Sequence, residues 1–260
     1  MRPAVALAET AAPRRRTGGV RTVAGLILVC GGIGLSASIA GRPAEVADQA
    51  GLFVMLAMCV GAGCLGPALL TVAAPAARLL GDAGRLAADN VGVRAKALSG
   101  ALVPLTLAVA FAAVKVASYT TRVHVTGEPG PAADRWLEYS GTAVYTAFAA
   151  VAALNTLVTL VLARRRDLAV TQLSGGTRGR TLAVVFCEAL VVTGTALAVA
   201  AVVATTTLLP LLHTALGTWV PWLPLPWLLA GVLGTAALVS AGTVLPTALA
   251  LRRPPIEVVG

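Results

Sequence analysis

Charged residues divide the chain into long apolar stretches. The uncharged runs between them cover residues 22–41, 49–77, 97–114, 139–163 and 189–251. A helix needs about 20 apolar residues to cross the hydrocarbon core of a bilayer, because each residue adds about 1.5 Å. Each of the first four runs therefore predicts one membrane-spanning helix.

The last uncharged run is too long for a single span. It contains 63 residues and is interrupted by Pro210, Pro221, Pro224 and Pro226. Proline lacks the amide hydrogen that a continuing helix needs, so we divide this run into spans at about 181–208 and 227–250. The pattern predicts an all-α fold, a polytopic integral membrane bundle of about six transmembrane helices.

The first span has an alternative interpretation. Arg14–Arg16 and Arg21 precede a short apolar stretch that ends in Ser38-Ile39-Ala40, and this arrangement also resembles a cleaved signal peptide. The run is long enough to cross a bilayer, and the topology of the later spans is the same under both interpretations. We expect a retained span and keep cleavage as the alternative.

Composition supports a membrane protein. Hydrophobic residues make up 57% of the 260 residues and charged residues 12%, whereas a soluble domain carries about 25% charged residues. These values exclude a disordered chain, a disulfide scaffold and an ordinary soluble enzyme. The net charge of +9 does not indicate nucleic-acid binding, because the charges lie between apolar runs; the expected partner is the lipid bilayer.

The basic residues predict the orientation. Sixteen Lys and Arg residues flank one side of the six spans and four flank the other. Because basic residues resist translocation, we expect both termini in the cytoplasm and the chain in the plasma membrane. All tryptophans and tyrosines then fall on the outer side or its interface: Trp136, Trp219, Trp222, Trp227, Tyr119, Tyr139 and Tyr145.

The spans imply an organisation into four parts. These are a basic cytoplasmic tail (1–21), a two-span hairpin (22–77), a cytoplasmic amphipathic connector (78–96) and a four-span core (97–253). Within the core, residues 115–139 form a short extracytoplasmic loop and residues 164–180 a cytoplasmic segment.

No residue pattern points to catalysis, a metal or a cofactor. The four cysteines lie inside spans and are interpreted as buried apolar residues, and His124 and His213 stand alone. Leu173-Ser174-Gly175-Gly176 matches the start of the signature loop of ABC-type ATPases. The phosphate-binding G-x-x-x-x-G-K-[ST] loop is missing from the sequence, so we do not expect an enzyme.

The segment between spans four and five is the most informative. Three arginines alone would anchor span four against anionic headgroups. The residues that follow predict a short amphipathic helix on the cytoplasmic surface: an acid suits its first turn, leucines cluster on one side, glycine stops it and threonine caps the next span. The residues of this coupling segment are Arg164, Arg165, Arg166, Asp167, Leu168, Leu173, Gly175, Thr177 and Arg178.

This stretch resembles a known family. R-R-R-D-L-A-V-T-Q-L-S-G-G-T-R, followed by Glu188-Ala189-Leu190, is similar to the corresponding stretch of FtsX-like (MacB-type) permeases, which are membrane subunits of ABC transporters. The resemblance covers about residues 85–253, and spans three to six match the four spans of the family. Spans one and two resemble the segments that join the two halves of duplicated members.

The resemblance implies a function and partners. The coupling segment would contact a separate ABC-type ATPase, with Asp167 and Gly175 at family positions and Glu188 as the intramembrane glutamate. The chain would work as a homodimer or with a second permease, on a hydrophobic or amphiphilic substrate. Two features depart from the family: the outer loop of about 25 residues replaces a folded domain, and Thr171 and Gln172 replace leucine and arginine.

Other interpretations remain open. Glu188 lies about seven residues inside a span, where a carboxylate needs a partner. Arg178 or Arg180 near the interface would supply one, or a partner helix would, or the side chain would simply extend to the boundary. The alternative function is a non-transporting scaffold or regulator that acts with an ATPase. A secondary transporter or intramembrane enzyme is less favoured, because it usually needs several ionisable residues at membrane depth.

Overall fold

The computed structural model describes residues 19–39, 42–164 and 177–251, and these residues form helices joined by short connections. The helices are α1 (Gly19–Ile39), α2 (Ala44–Ala73), a 3-10 helix (Ala74–Leu80), α3 (Gly81–Thr126), α4 (Ala132–Ala163), α5 (Arg178–Leu216) and α6 (Leu225–Ala250). The predicted all-α fold is confirmed.

Five helical stretches of the described chain are long and apolar enough to cross a membrane, which confirms a membrane bundle. The second stretch, 49–126, holds two helices that pack against each other. The chain reverses direction at Gly81, which has a φ of 79° that glycine adopts readily. After the turn α3 packs against α2, with Gly63 beside Val103 and Gly66 beside Ser99. This stretch therefore supplies two crossings, in agreement with about six spans.

The central helices of the bundle are α3 and α5. In the most apolar 18-residue stretch of α5, 56% of the residues are buried inside the protein. The corresponding stretches of α1, α4 and α6 are each 22% buried. The main core contains Leu105 of α3, Leu157 of α4 and Val192 of α5. The exposed apolar side chains of the outer helices are those that lipid would cover.

The fifth span continues through Pro210, so the predicted end at 208 is wrong. Proline cannot donate to the carbonyl four residues earlier, which leaves the oxygen of Thr206 without its helical partner. The Ser36 hydroxyl of α1 donates to that oxygen at 2.6 Å. Since a neighbouring helix satisfies the freed carbonyl, α5 extends to Leu216.

A second helix-interior proline is supported in the same way. Pro67 of α2 frees the carbonyl of Gly63, and Arg21 Nη2 of α1 donates to this oxygen at 2.8 Å. The same nitrogen lies 3.0 Å from Ser99 Oγ on α3. Helix α1 thus supplies a polar side chain to each of two proline-containing helices.

The predicted outer loop is much shorter in the structure. Helix α3 extends to Thr126 and α4 begins at Ala132, so only residues 127–131 lie between them. The charged residues that were used to predict the limits of the loop lie on these two helices. Two of them, Arg122 of α3 and Glu138 of α4, form an ion pair at 3.4 Å. The range 115–139 is therefore mostly two helix ends.

The predicted connector 78–96 is helical. It comprises the end of the 3-10 helix and the first turns of α3, with exposed ion pairs Arg78–Asp89 and Arg85–Asp82. Helix α3 has 46 residues and is about 70 Å long, more than twice the roughly 30 Å hydrocarbon core. Its polar first part therefore extends beyond the apolar layer.

Candidate functional site

The candidate site lies where α4 ends and α5 begins. We call this end of the bundle, which carries Arg164, Arg178 and Arg85, the basic end. Thr177 caps α5, as the sequence predicts, since its hydroxyl accepts a hydrogen bond from the Arg180 amide at 3.4 Å. Helix α5 then enters the bundle and brings Glu188 to a position that is only 5% exposed.

Glu188 has one partner on α3 and one at the C-cap of α4. Arg164 Nη1 donates to Oε2 at 2.6 Å, and Asn90 Nδ2 donates to Oε1 at 2.9 Å. The side chains of Arg164 and Glu188 are 11% and 7% exposed. A buried carboxylate needs paired charge and hydrogen bonds, and this arrangement supplies both while joining α3, α4 and α5.

The partners of Glu188 come from other helices and not from the predicted Arg178 or Arg180. Arg178 and Arg180 are exposed on the first turn of α5, and the ion pair of the described structure is made with Arg164 at the other side of the connection. Extension to the boundary is also wrong, because Glu188 is buried among α3, α4 and α5. Arg164 is the C-cap residue of α4, and its side chain reaches Glu188 on α5.

Arg164 directly precedes the rest of the coupling segment. The predicted residues Arg165, Arg166, Asp167, Leu168, Leu173 and Gly175 lie outside the described residues, so the amphipathic helix stays a prediction. The described structure contains both ends of the segment. Arg164 joins the first end to Glu188 by the ion pair, and Thr177 caps α5 at the second.

Two residues of the polar contacts at the basic end were not foreseen. Asn90 belongs to the connector, where polar residues are expected to meet water, and Arg21 was interpreted only as a flank of the first span. For Arg21 the sequence contained one signal, Pro67, because a proline inside an apolar run leaves a backbone carbonyl that needs a donor. The sequence does not reveal which helix supplies it.

The tryptophans gather at the opposite end together with Tyr119 and Tyr139, whereas Tyr145 lies near the middle of α4, with its ring 5.3 Å from that of Phe111. We call this end, formed by the α3–α4 and α5–α6 connections, the aromatic end. The imidazole of His124 stacks on Trp222 with ring centroids 4.1 Å apart, and His213 stacks on Trp219 at 4.2 Å. The two histidines are therefore not isolated.

The α5–α6 connection is also held by backbone contacts. The Trp222 amide donates to Thr121 Oγ1 at 2.8 Å, and the Thr120 hydroxyl donates to the Trp222 carbonyl. Tyr139 of α4 packs edge-on against Tyr119 of α3 at 5.2 Å. These contacts join α3, α4 and the connection.

The described residues contain no group of three His, Cys, Asp or Glu side chains that could hold a metal ion. The four cysteines are free thiols: Cys59 and Cys187 are buried, Cys64 is partly buried and Cys30 is exposed. The prediction that all four are buried is wrong for Cys30 on α1, which is exposed, and holds only in part for Cys64.

No protein-family model, curated protein or solved structure matches the chain. The family resemblance therefore stays a prediction from the sequence.

Proposed function

We propose that the chain is the membrane subunit of an FtsX/MacB-type ABC transporter, coupling a separate ATPase to the export or extraction of a hydrophobic or amphiphilic substrate. The coupling segment faces the cytoplasm and docks on the ATPase. The chain does not itself hydrolyse ATP, and it acts as a homodimer or with a second permease in the plasma membrane.

The observation that supports this proposal is the Arg164–Glu188 ion pair. It joins the first residue of the coupling segment to the buried face of α5 at 2.6 Å, and Asn90 extends the contact to α3. A displacement of the segment by an ATPase would therefore act on three helices at once. An unattached surface loop would instead absorb the movement.

ATP binding would be coupled to the arrangement of the membrane helices because the ATPase contacts the coupling segment differently in its two states. ATP binding changes the spacing of the ATPase subunits, and the coupling segments move with them. A ligand shifts a conformational equilibrium only as far as it binds one state better than the other. The ion pair gives the α4–α5 connection a rigid attachment, so that this difference is passed to the helix arrangement.

The low charge of the spans favours an amphiphilic cargo. Glu188 is the only charged residue among the buried polar residues of the described chain, and Arg164 neutralises it. An ion pathway usually needs several ionisable groups at membrane depth. An amphiphile taken from the bilayer needs no such pathway.

The docking assignment is tested by crosslinking. A cysteine at Thr171, treated with a bifunctional thiol reagent in native membranes, is expected to form an adduct with an ABC-type ATPase. A cysteine at Thr126, exposed at the aromatic end, is the matched control and should give none. The chain without an added cysteine corrects for its four native thiols. If Thr171→Cys gives no adduct with any nucleotide-binding subunit, the assignment is wrong.

The alternative is a non-transporting scaffold or regulator. The same ion pair would transmit a change in either direction, so it also permits the membrane helices to control an ATPase without moving cargo. Reconstitution with the captured ATPase separates the two functions. ATP-dependent movement of a lipid-like cargo between vesicles supports the permease, whereas stimulation of ATP hydrolysis without movement supports the regulator.

A further inference from the structure

A pocket of about 290 Å³ opens at the basic end among α3, α4, α5 and α6. Its walls combine charged and apolar side chains, of which the decisive ones are Arg94, Arg164, Glu188, Leu98, Leu157 and Val192. With about 30 Å³ for each water molecule, it has room for roughly ten water-sized groups. That volume suits a polar headgroup with part of an alkyl chain.

Charged and apolar residues are ordered by depth. Along α3, Arg94 precedes Leu98 by one helical turn, and along α5, Glu188 precedes Val192 by one turn. Helix α4 runs the other way, so Leu157 lies deeper than Arg164. The charged residues therefore form the rim of the pocket and the apolar residues form its floor. A lipid in the bilayer has the same order, with its polar headgroup outside and its acyl chains inside.

The rim contains a buried donor that lacks an acceptor. Arg164 Nη1 donates to Glu188, but Arg164 Nε is buried and has no hydrogen-bond partner in the described part of the chain. A buried donor without an acceptor is destabilising, because it has lost its hydrogen bond to water. Glu188 already accepts from Arg164 and Asn90, so the missing group is an acceptor, and an anionic oxygen suits a guanidinium best.

We propose that this pocket binds a membrane phospholipid, with its phosphate at Arg164 and the first part of an acyl chain along Leu98, Leu157 and Val192. A phospholipid and free phosphate both offer an anionic oxygen to Arg164, but free phosphate would leave the apolar floor of the pocket uncovered. The inference goes beyond the proposed function and stands without it, because it requires a bilayer and no ATPase.

A steric variant tests the site without disturbing the ion pair. Ala163 lines the pocket and is exposed, and Ala147 is exposed on the same helix away from the pocket. The purified full-length chain in detergent is titrated with phosphatidylglycerol and bound lipid is counted by native mass spectrometry. Ala163→Leu is expected to weaken the tightest site about tenfold, which corresponds to about 1.4 kcal/mol. Ala147→Leu should bind as the unchanged chain does, and equal binding by both variants overturns the proposal.

A headgroup variant identifies the recognised chemistry. Arg164→Lys keeps a cation near Glu188 and removes the Nε donor, so phosphatidylglycerol binding should weaken about tenfold. Diacylglycerol with the same acyl chains should bind weakly to both forms. If diacylglycerol binds the unchanged chain as tightly as phosphatidylglycerol, the headgroup is not recognised and the proposal fails. If millimolar inorganic phosphate alone occupies the site with the same sensitivity to Arg164→Lys, the site is one for free anions.

Discussion

Arg164 Nη1 and Glu188 Oε2 lie 2.6 Å apart and join the end of α4 to the buried face of α5. The pair lies at the start of the coupling segment, and Asn90 of α3 donates a hydrogen bond to the other oxygen of the carboxylate. Three helices thus share one charged contact. Its integrity is the structural requirement of the proposed coupling.

Breaking this pair is expected to destabilise the protein. Arg164→Gln leaves the Glu188 carboxylate buried without its cation, a change that costs about 3–5 kcal/mol and lowers the melting temperature in detergent by about 10 °C. Arg178→Gln removes an exposed arginine of the same connection and should have little effect. The double variant Arg164→Leu with Glu188→Leu should recover most of the loss, because both buried charges are gone. A double variant as unstable as Arg164→Gln would show that the ion pair is not the cause.

The support of Pro210 by Ser36 predicts a conditional effect. Ser36→Ala removes the donor to Thr206 O and should destabilise the protein by about 1–3 kcal/mol, because the carbonyl loses its partner. In a Pro210→Ala background the new amide donates to Thr206 O, and Ser36→Ala should become nearly neutral. Thermal unfolding of the four proteins gives the coupling between the two positions.

Ser38→Ala is the matched control for this cycle. The Ser38 hydroxyl is exposed and donates within its own helix to Leu35 O, so its removal should leave the melting temperature unchanged. Equal losses from Ser36→Ala in both backgrounds would contradict the supporting role of Ser36.

The spans could be predicted from the sequence because hydrophobic length is a local property. Partners could not, because they depend on how each helix is rotated. The position of Glu188 inside a span indicated that it needs a cation, but several arginines lie near it in sequence. Only the fold shows that Arg164 supplies the cation and that Arg178 and Arg180 are exposed. The end of α5 was mispredicted for a similar reason, since Ser36, which supports the helix past Pro210, is 170 residues away in sequence from its acceptor Thr206.

Glycine-rich faces show the same limit. Glycine and alanine are so frequent in these spans that small-residue spacing assigns no contact face. In the structure Gly25 and Gly61 face each other across α1 and α2, whereas Gly31, Gly231 and Gly234 have open space beside them. The distinction comes from the helix pairing and not from the local pattern.

This difference predicts a matched pair of substitutions. A Cβ atom added at Gly61 would lie 3.0 Å from the Gly25 carbonyl oxygen and 2.9 Å from Val29, whereas one added at Gly31 meets nothing within 4 Å. Gly61→Ile should therefore separate α1 from α2 and cost about 1–3 kcal/mol through overpacking. Gly31→Ile should be tolerated. Melting temperatures of the two variants in the same detergent decide the matter, and equal values would contradict the close α1–α2 contact.

The orientation of the bundle is tested by thiol labelling of intact cells. Sixteen of the 20 basic residues flank one set of span ends, and basic flanks stay in the cytoplasm. Thr171→Cys, in the coupling segment, should resist a membrane-impermeant maleimide until the membrane is permeabilised. Val220→Cys, exposed at the aromatic end, should react at once. Labelling of Thr171→Cys from outside, with Val220→Cys protected, would place the coupling segment on the face that no cytoplasmic ATPase reaches.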